Sequence, residues 1–130
     1  MYLLDTDWVV QALARRGSAM GVLGALAGAT IYVSYVSLGE LYEGAYQSSN
    51  PGAHLATFRR FLIAYPPLNL NDSVMERFAE TRAYLRRRGQ IIADMDLLIA
   101  ATALHYDLTL LTFNLSHFSR IPDLRLYQLQ

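Results

Sequence analysis

The sequence predicts an α/β domain in which a central parallel sheet is covered by helices on both faces. Short apolar strands alternate with helices along the 130 residues, and this alternation is typical of parallel sheets. The hydrophobic content of 53% is enough for a buried core and argues against disorder. Residues 95–106 predict a helix that is apolar nearly all round, which indicates a buried helix. We expect a single domain over residues 1–130.

The first half of the chain predicts two strands and four helices. Residues 2–4 form a short apolar run that ends at Asp5, as in a buried strand. After a break at Gly28, residues 30–36 are rich in β-branched and aromatic side chains, which favours a second strand. The predicted helices cover residues 8–15, 18–27, 37–47 and 53–64.

The second half predicts three strands, two longer helices and a short helical turn. Asn71 is a capping residue for a helix that ends where three arginines are followed by Gly89. Pro66 and Pro67 stop the helix before it. The predicted strands cover residues 68–70, 108–112 and 125–129, and the predicted helices cover residues 71–88, 95–106 and 116–118.

Composition limits the classes of partner and compartment. There is no cysteine, so disulfides and thiolate zinc sites are excluded and a reducing, cytoplasmic location is expected. All 11 basic residues are arginine and the formal net charge is zero, so nucleic acid would have to contact local arginine clusters. Residues 17–39 carry no charge and are long enough to span a membrane, but glycines and polar residues interrupt them, which favours a helix, a turn and a strand. No basic segment opens the chain, so a signal peptide is not expected.

Polar side chains stand where the predicted strands and helices meet. Asp5 ends the first strand, Glu40 follows the second, Asp94 and Asp96 open the buried helix, and Asn114 follows the strand over 108–112. In parallel sheets, sites form outside the carboxyl ends of the strands. Two carboxylates about 4 Å apart repel by about 4 kcal/mol at an effective dielectric near 20, so a cluster of acids needs a cation or protons.

Without cysteine, oxygen ligands favour Mg²⁺ or Mn²⁺ over zinc. Such an ion lowers the pKa of bound water and stabilises charge on a phosphoryl group. Phosphodiester hydrolysis is the natural reaction for this set of groups.

Each acid also has a purely structural alternative. Asp5 could form an Asx turn at the end of its strand, and Asp7 could cap the helix that contains Trp8. Ser37 and Glu40 match a capping box. Acids at the start of the 95–106 helix suit its free N–H groups and its dipole. Sequence alone leaves these alternatives open for each residue taken singly.

Four segments resemble the four motifs of the PIN domain. They are Tyr2-Leu3-Leu4-Asp5-Thr6-Asp7, Ser37-Leu38-Gly39-Glu40-Leu41, Asp96-Leu97-Leu98-Ile99-Ala100-Ala101-Thr102-Ala103-Leu104 and Leu111-Thr112-Phe113-Asn114. Residues 118–124 also resemble that family, and the resemblance covers the chain in the family's order. Within the family, the chain is most similar to VapC toxins, the ribonucleases of bacterial and archaeal toxin–antitoxin pairs.

The resemblance implies a three-layer α/β/α PIN-like domain and a set of site residues. The residues matched to the acidic core are Asp5, Glu40 and Asp96. Asn114 occupies a fourth position that is often Asp in the family, and Thr112 matches a small hydroxyl residue near the metal. Asp94 stands two residues before the usual Asp and could be an outer metal ligand.

The resemblance also implies substrate and partners. Family members cleave structured RNA, usually tRNA or rRNA, and are inhibited by a VapB antitoxin whose C-terminal segment covers the site. They commonly form homodimers, and no membrane partner is expected. Arginines that could bind RNA phosphates, or could equally be solvated helix faces, are Arg59, Arg60, Arg86, Arg87 and Arg88. His105 and His117 are interpreted as structural or surface residues.

Two other classes of function remain. Asp5-x-Asp7 after a strand resembles the nucleophile motif of haloacid-dehalogenase-like phosphatases, and receiver domains also cluster acids at a strand end. Both need a lysine to neutralise the phosphoryl group, and this chain has none. The other class is a PIN homologue that binds without cleaving; three retained acids argue against it, and Asn114 leaves it open.

Overall fold

The structure, a computed structural model, describes residues 1–128 and contains a four-stranded sheet. The strands are β1 (Tyr2–Leu4), β2 (Ile31–Ser34), β3 (Pro67–Leu68) and β4 (Thr109–Leu111). Their order across the sheet is β3-β2-β1-β4, and all three pairings are parallel. The predicted central parallel sheet is therefore confirmed.

Seven helices connect and follow these strands within the described part of the chain. They are α1 (Thr6–Leu13), α2 (Ala19–Ala25), α3 (Tyr35–Tyr46), α4 (Pro51–Ala64), α5 (Asp72–Arg87), α6 (Asp94–His105) and α7 (Leu115–Phe118). The end signals around α5 are confirmed: the Asn71 side chain accepts a hydrogen bond from Val74 N at 2.9 Å. Gly89, just past the helix, has the left-handed φ of +64° that favours glycine.

Two separate cores lie on the two faces of the sheet, because successive side chains of a strand point in opposite directions. Leu3 of β1 packs in one core with Leu85 of α5 and Phe118 of α7. The next residue, Leu4, packs in the other core with Trp8 of α1 and with residues of α2 and α4. Helices thus cover both faces, and the predicted three-layer α/β/α architecture is confirmed.

The boundary between β2 and α3 differs from the prediction. The strand ends at Ser34 instead of residue 36, and Ser34 is the N-cap of α3, with its side chain accepting from Val36 N at 3.1 Å. Ser37 consequently lies inside the helix and is fully buried. The capping box proposed for Ser37 and Glu40 is wrong, because a strong N-cap three residues earlier had already started the helix.

The strand predicted over residues 125–129 is reduced to one parallel bridge between Leu126 and Leu110. Residue 129 lies outside the described residues. Residues 17–39 form α2, β2 and the start of α3 instead of one long helix, as expected from their glycines. Within residues 1–128, no helix has the length and apolar character needed to cross a membrane.

Candidate active site

The candidate site lies at the carboxyl edge of the sheet, where β1, β2 and β4 end. Asp5 directly follows β1, and its backbone N–H donates to the carbonyl oxygen of Leu111 in β4 at 2.9 Å. Thr112 directly follows β4, and α3, which carries Glu40, directly follows β2. Parallel strands thus bring three distant segments to one edge.

Asp5 is a buried carboxylate held by two hydrogen bonds. Only 6% of the residue is exposed. Thr6 N donates to Oδ1 at 2.7 Å, and Thr112 Oγ1 donates to Oδ2 at 2.7 Å. The structural alternative is partly correct, because Asp5 is the N-cap of α1. Asp5 also accepts a hydrogen bond from Thr112, which follows another strand, so capping is only one of the contacts that Asp5 makes.

The electrostatics of Asp5 are dominated by the loss of water. Burial raises its pKa from 3.8 to about 6; the hydrogen bonds from Thr112 and Thr6 oppose this rise, while the charges of Asp96 and Asp7 add to it. Desolvation penalises the charged form, and neighbouring carboxylates penalise it further. A cation placed beside Asp5 would remove both penalties.

Asp96 lies in the first turn of α6 and is half-buried. Burial raises its pKa, the charge of His117 lowers it, and the charge of Asp7 raises it. No side chain caps α6 through Ala93, its N-cap residue. Asp96 therefore interacts electrostatically with Asp5 and Asp7, in addition to any favourable effect on the helix dipole.

Glu40 is oriented by a pair of hydroxyl groups. Thr6 Oγ1 lies 2.6 Å from Glu40 Oε1 and 2.8 Å from Ser37 Oγ. Because a hydroxyl has one hydrogen and an ionised carboxylate only accepts, Thr6 donates to Glu40 and accepts from Ser37. Thr6 bonds only Oε1, and within residues 1–128 the other carboxylate oxygen, Oε2, makes no hydrogen bond. This oxygen is the one available to a ligand.

Thr112 and Asn114 are joined by a short hydrogen bond. Asn114 N donates to Thr112 Oγ1 at 3.0 Å, so the hydroxyl that donates to Asp5 also fixes the backbone of Asn114. The Asn114 side chain contacts His117, with 2.8 Å between Nδ2 and Nδ1. The stacked rings of Trp8 and Phe113, 4.3 Å apart, pack α1 against this segment. Trp8 is thus a packing residue.

The Asp94 side chain binds an arginine, unlike the acids described above. Its Oδ1 accepts a hydrogen bond from Arg82 Nε of α5 at 2.9 Å, and its side chain is 61% exposed. It is absent from the charges that shift the pKa of Asp5 and Asp96. The structure therefore places Asp94 beside the site, engaged with Arg82.

Two residues of the site were not among the candidates taken from the sequence. Asp7 acts on the pKa of both Asp5 and Asp96, and His117 acts on that of Asp96. Asp7 stands two residues after Asp5 in the first turn of α1, a spacing that could have suggested it. His117 stands three residues after Asn114. On a helical turn this spacing places two side chains side by side, so it could have suggested His117.

The arginines considered for RNA lie on exposed helix surfaces. Arg59 of α4 stacks over the ring of Tyr42 at 5.7 Å, and Arg88 stacks over Tyr84 at 4.5 Å. The others, all exposed, are Arg60, Arg86 and Arg87. Arg86 and Arg87 end α5, the helix whose Arg82 contacts Asp94 at the start of α6.

The donor set fits a hard divalent cation by its chemistry. It offers carboxylate oxygens from Asp5, Asp7, Glu40 and Asp96, with no thiolate, and two of these carboxyl groups have raised pKa values because they are desolvated. Within residues 1–128, no three acidic or imidazole side chains stand ready to close on one ion. Side chains or water would have to complete a coordination shell.

Comparison with known proteins gives consistent matches over nearly the whole chain. The sequence profile of the PIN domain matches residues 2–124. Ribonuclease VapC2 of Haemophilus influenzae is 32% identical over 125 residues, which cover 95% of this chain and 94% of that protein. The tRNA(fMet)-specific endonuclease VapC of Salmonella typhimurium is 27% identical over 125 residues, covering 96% and 95%.

The fold is also similar to that of a solved toxin–antitoxin complex. In the crystal structure of VapBC2 from Rickettsia felis bound to a DNA fragment from their promoter, one chain aligns with a TM-score of 0.91 and 31% identity. The alignment covers 99% of this chain and 98% of that chain. Every acid and polar group described above lies within residues 2–124, the range of the PIN match.

Proposed function

Because this chain belongs to the PIN-domain family and, within it, to the VapC ribonucleases of toxin–antitoxin pairs, we propose that Asp5, Glu40 and Asp96 hold a divalent ion for RNA hydrolysis. The observation that carries this proposal is the desolvated pair Asp5 and Asp96 at the carboxyl edge of the sheet. Mg²⁺ and Mn²⁺ are the ions that suit such oxygen ligands.

The chain's own groups have separable tasks in this proposal. With a pKa of about 6, Asp5 is largely ionised at neutral pH, and a cation beside it would offset the charge that burial penalises. Thr112 and Thr6 hold the Asp5 carboxylate in place through their hydrogen bonds. Thr6 also orients Glu40, and leaves Oε2 for the ion. When bound, such an ion supplies an acidified water and stabilises charge on the phosphate.

Three further groups complete the proposed site. Asn114 contributes a neutral amide oxygen, and Asp7 contributes charge near Asp5 and Asp96. Asp94 is an outer group, and it would join the coordination only after leaving Arg82. A site with Asn114 in the fourth position has less negative charge than one with four acids.

We propose structured RNA, with tRNA as the first candidate, as the substrate. The relative from Salmonella typhimurium is named a tRNA(fMet)-specific endonuclease. Because the net charge of this chain is zero, local arginines have to supply the phosphate contacts. The favoured phosphate contacts are Arg86 and Arg87 at the end of α5; the remaining candidates are Arg59, Arg60 and Arg88.

The partner in the proposal is a VapB antitoxin. The similar Rickettsia felis structure is a VapBC2 complex on DNA, so the inhibited state of this chain is a toxin–antitoxin complex. We also infer a single PIN domain and a homodimer. The cysteine-free composition is in keeping with a cytoplasmic location. The phosphotransfer alternative is dropped because the family match is to the PIN domain.

A cleavage assay with a matched variant tests the proposal. Purified protein should cut tRNA with Mg²⁺ or Mn²⁺ and stop with EDTA, and Asp96→Ala should be inactive. Asp72→Ala is the control, because Asp72 is also a first-turn helix acid, in α5. Cleavage that survives EDTA in wild type and Asp96→Ala would refute the metal proposal. A protein that binds RNA but never cleaves it, with any divalent ion, would favour the binding-only homologue.

A further inference from the structure

The segment after β4 carries a chain of hydrogen bonds that ends at His117. Thr112 Oγ1 donates to Asp5 Oδ2 at 2.7 Å and accepts from Asn114 N at 3.0 Å. Asn114 Nδ2 lies 2.8 Å from Nδ1 of His117. One loop and one helical turn therefore connect an imidazole to the most buried carboxylate of the site.

The contact between Asn114 and His117 links the orientation of the amide, here with Nδ2 toward the ring, to the tautomer of the imidazole. An amide nitrogen only donates, so Nδ1 of His117 accepts and carries no hydrogen. In the neutral ring the hydrogen is then on Nε2. Asn114 Oδ1 is left without a hydrogen bond to any other residue within 1–128. The amide thus keeps its only ligand atom free.

The position of His117 is fixed by its short helix. The side chain is partly buried, and α7 is anchored by the fully buried Phe118. The charge of the His117 ring, when protonated, also lowers the pKa of Asp96. His117 is therefore held where its ring contacts Asn114.

We propose that His117 is a positioning residue that holds the Asn114 amide with Nδ2 turned to the imidazole and Oδ1 free for a cation. The cation part of this inference rests on the proposed function. Without His117, the amide can rotate by half a turn and present its N–H hydrogens, which repel a cation. His117 in this state is not itself a metal ligand, because Nδ1 is occupied and Nε2 is protonated.

The state of the ring can be measured without metal or RNA. Histidine ring nitrogens are observed by ¹⁵N NMR at about pH 8, above the ordinary imidazole pKa of about 6.5. The His117→Phe spectrum identifies the signals of His117. We expect hydrogen on Nε2 in the wild type. In Asn114→Asp, the new carboxylate can only accept, so hydrogen should move to Nδ1. A wild-type ring with hydrogen on Nδ1, or on both nitrogens, would overturn the proposal.

Metal affinity tests the consequence. His117→Phe keeps an aromatic ring but cannot accept from Asn114, so Mn²⁺ binding should weaken by about 10- to 100-fold, as for other groups that orient ligands. His117→Gln keeps an accepting oxygen and should retain most of the affinity. His105→Phe, at the opposite end of α6 from Asp96, is the control.

Equal Mn²⁺ affinities for His117→Phe and wild type, or a His117→Gln as weak as His117→Phe, would contradict the positioning role. A wild type that binds no Mn²⁺ would overturn the proposed function, and with it the cation role of Asn114. The ring nitrogen measurement still decides the His117 contact in that case.

Discussion

At the scale of single residues, Asp5 shows how opposing effects combine in one carboxyl group. Its burial favours the neutral form, whereas the Thr112 hydroxyl and the Thr6 N–H favour the charged form. Burial is the larger effect, so the pKa rises to about 6 despite two hydrogen bonds of 2.7 Å. The ionised form of such a carboxyl group is destabilised by burial, and a cation beside it would offset that cost.

The raised pKa predicts a specific dependence of stability on pH. Between about pH 3.8 and 6, folded Asp5 keeps a proton that the unfolded chain has lost. The folded state then binds more protons, so stability falls as pH rises through this window and stays lower above it. At 1.36 kcal/mol for each pKa unit, the full penalty is on the order of 3 kcal/mol.

Asp5→Asn should therefore be more stable than wild type at pH 7.5 in EDTA and lose that advantage at pH 4. Asparagine accepts at one oxygen only, so part of the gain is offset by a weaker contact to Thr112. Urea unfolding at both pH values measures the difference. Asp72→Asn is the control for a generic charge effect. A lower stability of Asp5→Asn at pH 7.5 would indicate that capping is the main role of Asp5.

Asn114 sets the charge available for a second ion. Its amide oxygen can bind a metal but brings no negative charge, and Mg²⁺ gives up its waters reluctantly. We expect one well-held ion in the free enzyme, with a second arriving with the RNA phosphate. Asn114→Asp should strengthen binding of a second Mn²⁺, and Asn114→Ala should reduce activity less than Asp96→Ala. Calorimetric titration checks this; two equally tight Mn²⁺ sites in the wild type would refute it.

At the scale of elements, α6 and α5 together prepare one end of the site. Beyond its first turn α6 is almost wholly apolar, and residues such as Leu97 and Ile99 are fully buried. The helix can be buried so deeply because its two acids are both in the first turn. Arg82 of α5 binds one of them, Asp94, at 2.9 Å. The other acid, Asp96, remains available to the candidate site.

The arginines at the end of α5 predict a salt-dependent RNA contact. Arg86→Ala combined with Arg87→Ala should weaken RNA binding and reduce the slope of log K against log salt by about 1.4, since each single-strand phosphate contact contributes about 0.7. Fluorescence anisotropy with catalytically inactive Asp96→Ala protein measures this without cleavage.

Arg125→Ala is the matched control for that double variant. Arg125 binds Asp107, which precedes β4, so it lies at the amino edge of the sheet and away from the acids. An unchanged salt slope in the double variant, or an equal change in Arg125→Ala, would exclude the end of α5 as the RNA contact.

At the scale of the whole molecule, the parallel sheet is what assembles the site. Asp5, Glu40 and Thr112 are far apart along the chain, and the carboxyl ends of β1, β2 and β4 bring their segments to one edge. Asp96 lies in the first turn of α6, the helix that precedes β4. Two packed cores, one on each face, hold the connecting helices in place. Binding of an ion at this edge should consequently stabilise the entire domain.

That coupling predicts a rise in the melting temperature with Mn²⁺ or Mg²⁺. An ion that binds the folded state alone adds about 2.7 kcal/mol at a concentration 100 times its Kd. Asp96→Asn should melt higher than wild type in EDTA, because repulsion with Asp5 and Asp7 is relieved, and should lose the response to metal. Asp72→Asn should keep the rise in melting temperature with metal. Scanning fluorimetry across a metal series decides the matter; equal responses in the two variants would contradict a site at Asp96.

Much of the fold follows from local order along the chain. Short apolar strands at 2–4 and 108–112, the apolar run after Asp96, and the signals at Asn71 and Gly89 depend on neighbours in sequence, and all were predictable. The β2–α3 boundary was not, because residues 31–36 suit a strand by side-chain type while the Ser34 cap starts a helix. Local preference for a strand was outweighed by a hydrogen bond to the backbone of Val36.

Residue order along the chain is enough to identify the acids at element ends and to propose that Asp5, Glu40 and Asp96 form one site. It does not indicate that Thr6 orients Glu40, that Arg82 engages Asp94, or that Asp7 and His117 act on Asp96. The physical reason is that hydrogen bonds and the desolvation of charges depend on distances of a few ångströms between segments. Those distances are set by how the helices pack on the sheet, and residue order alone does not contain them.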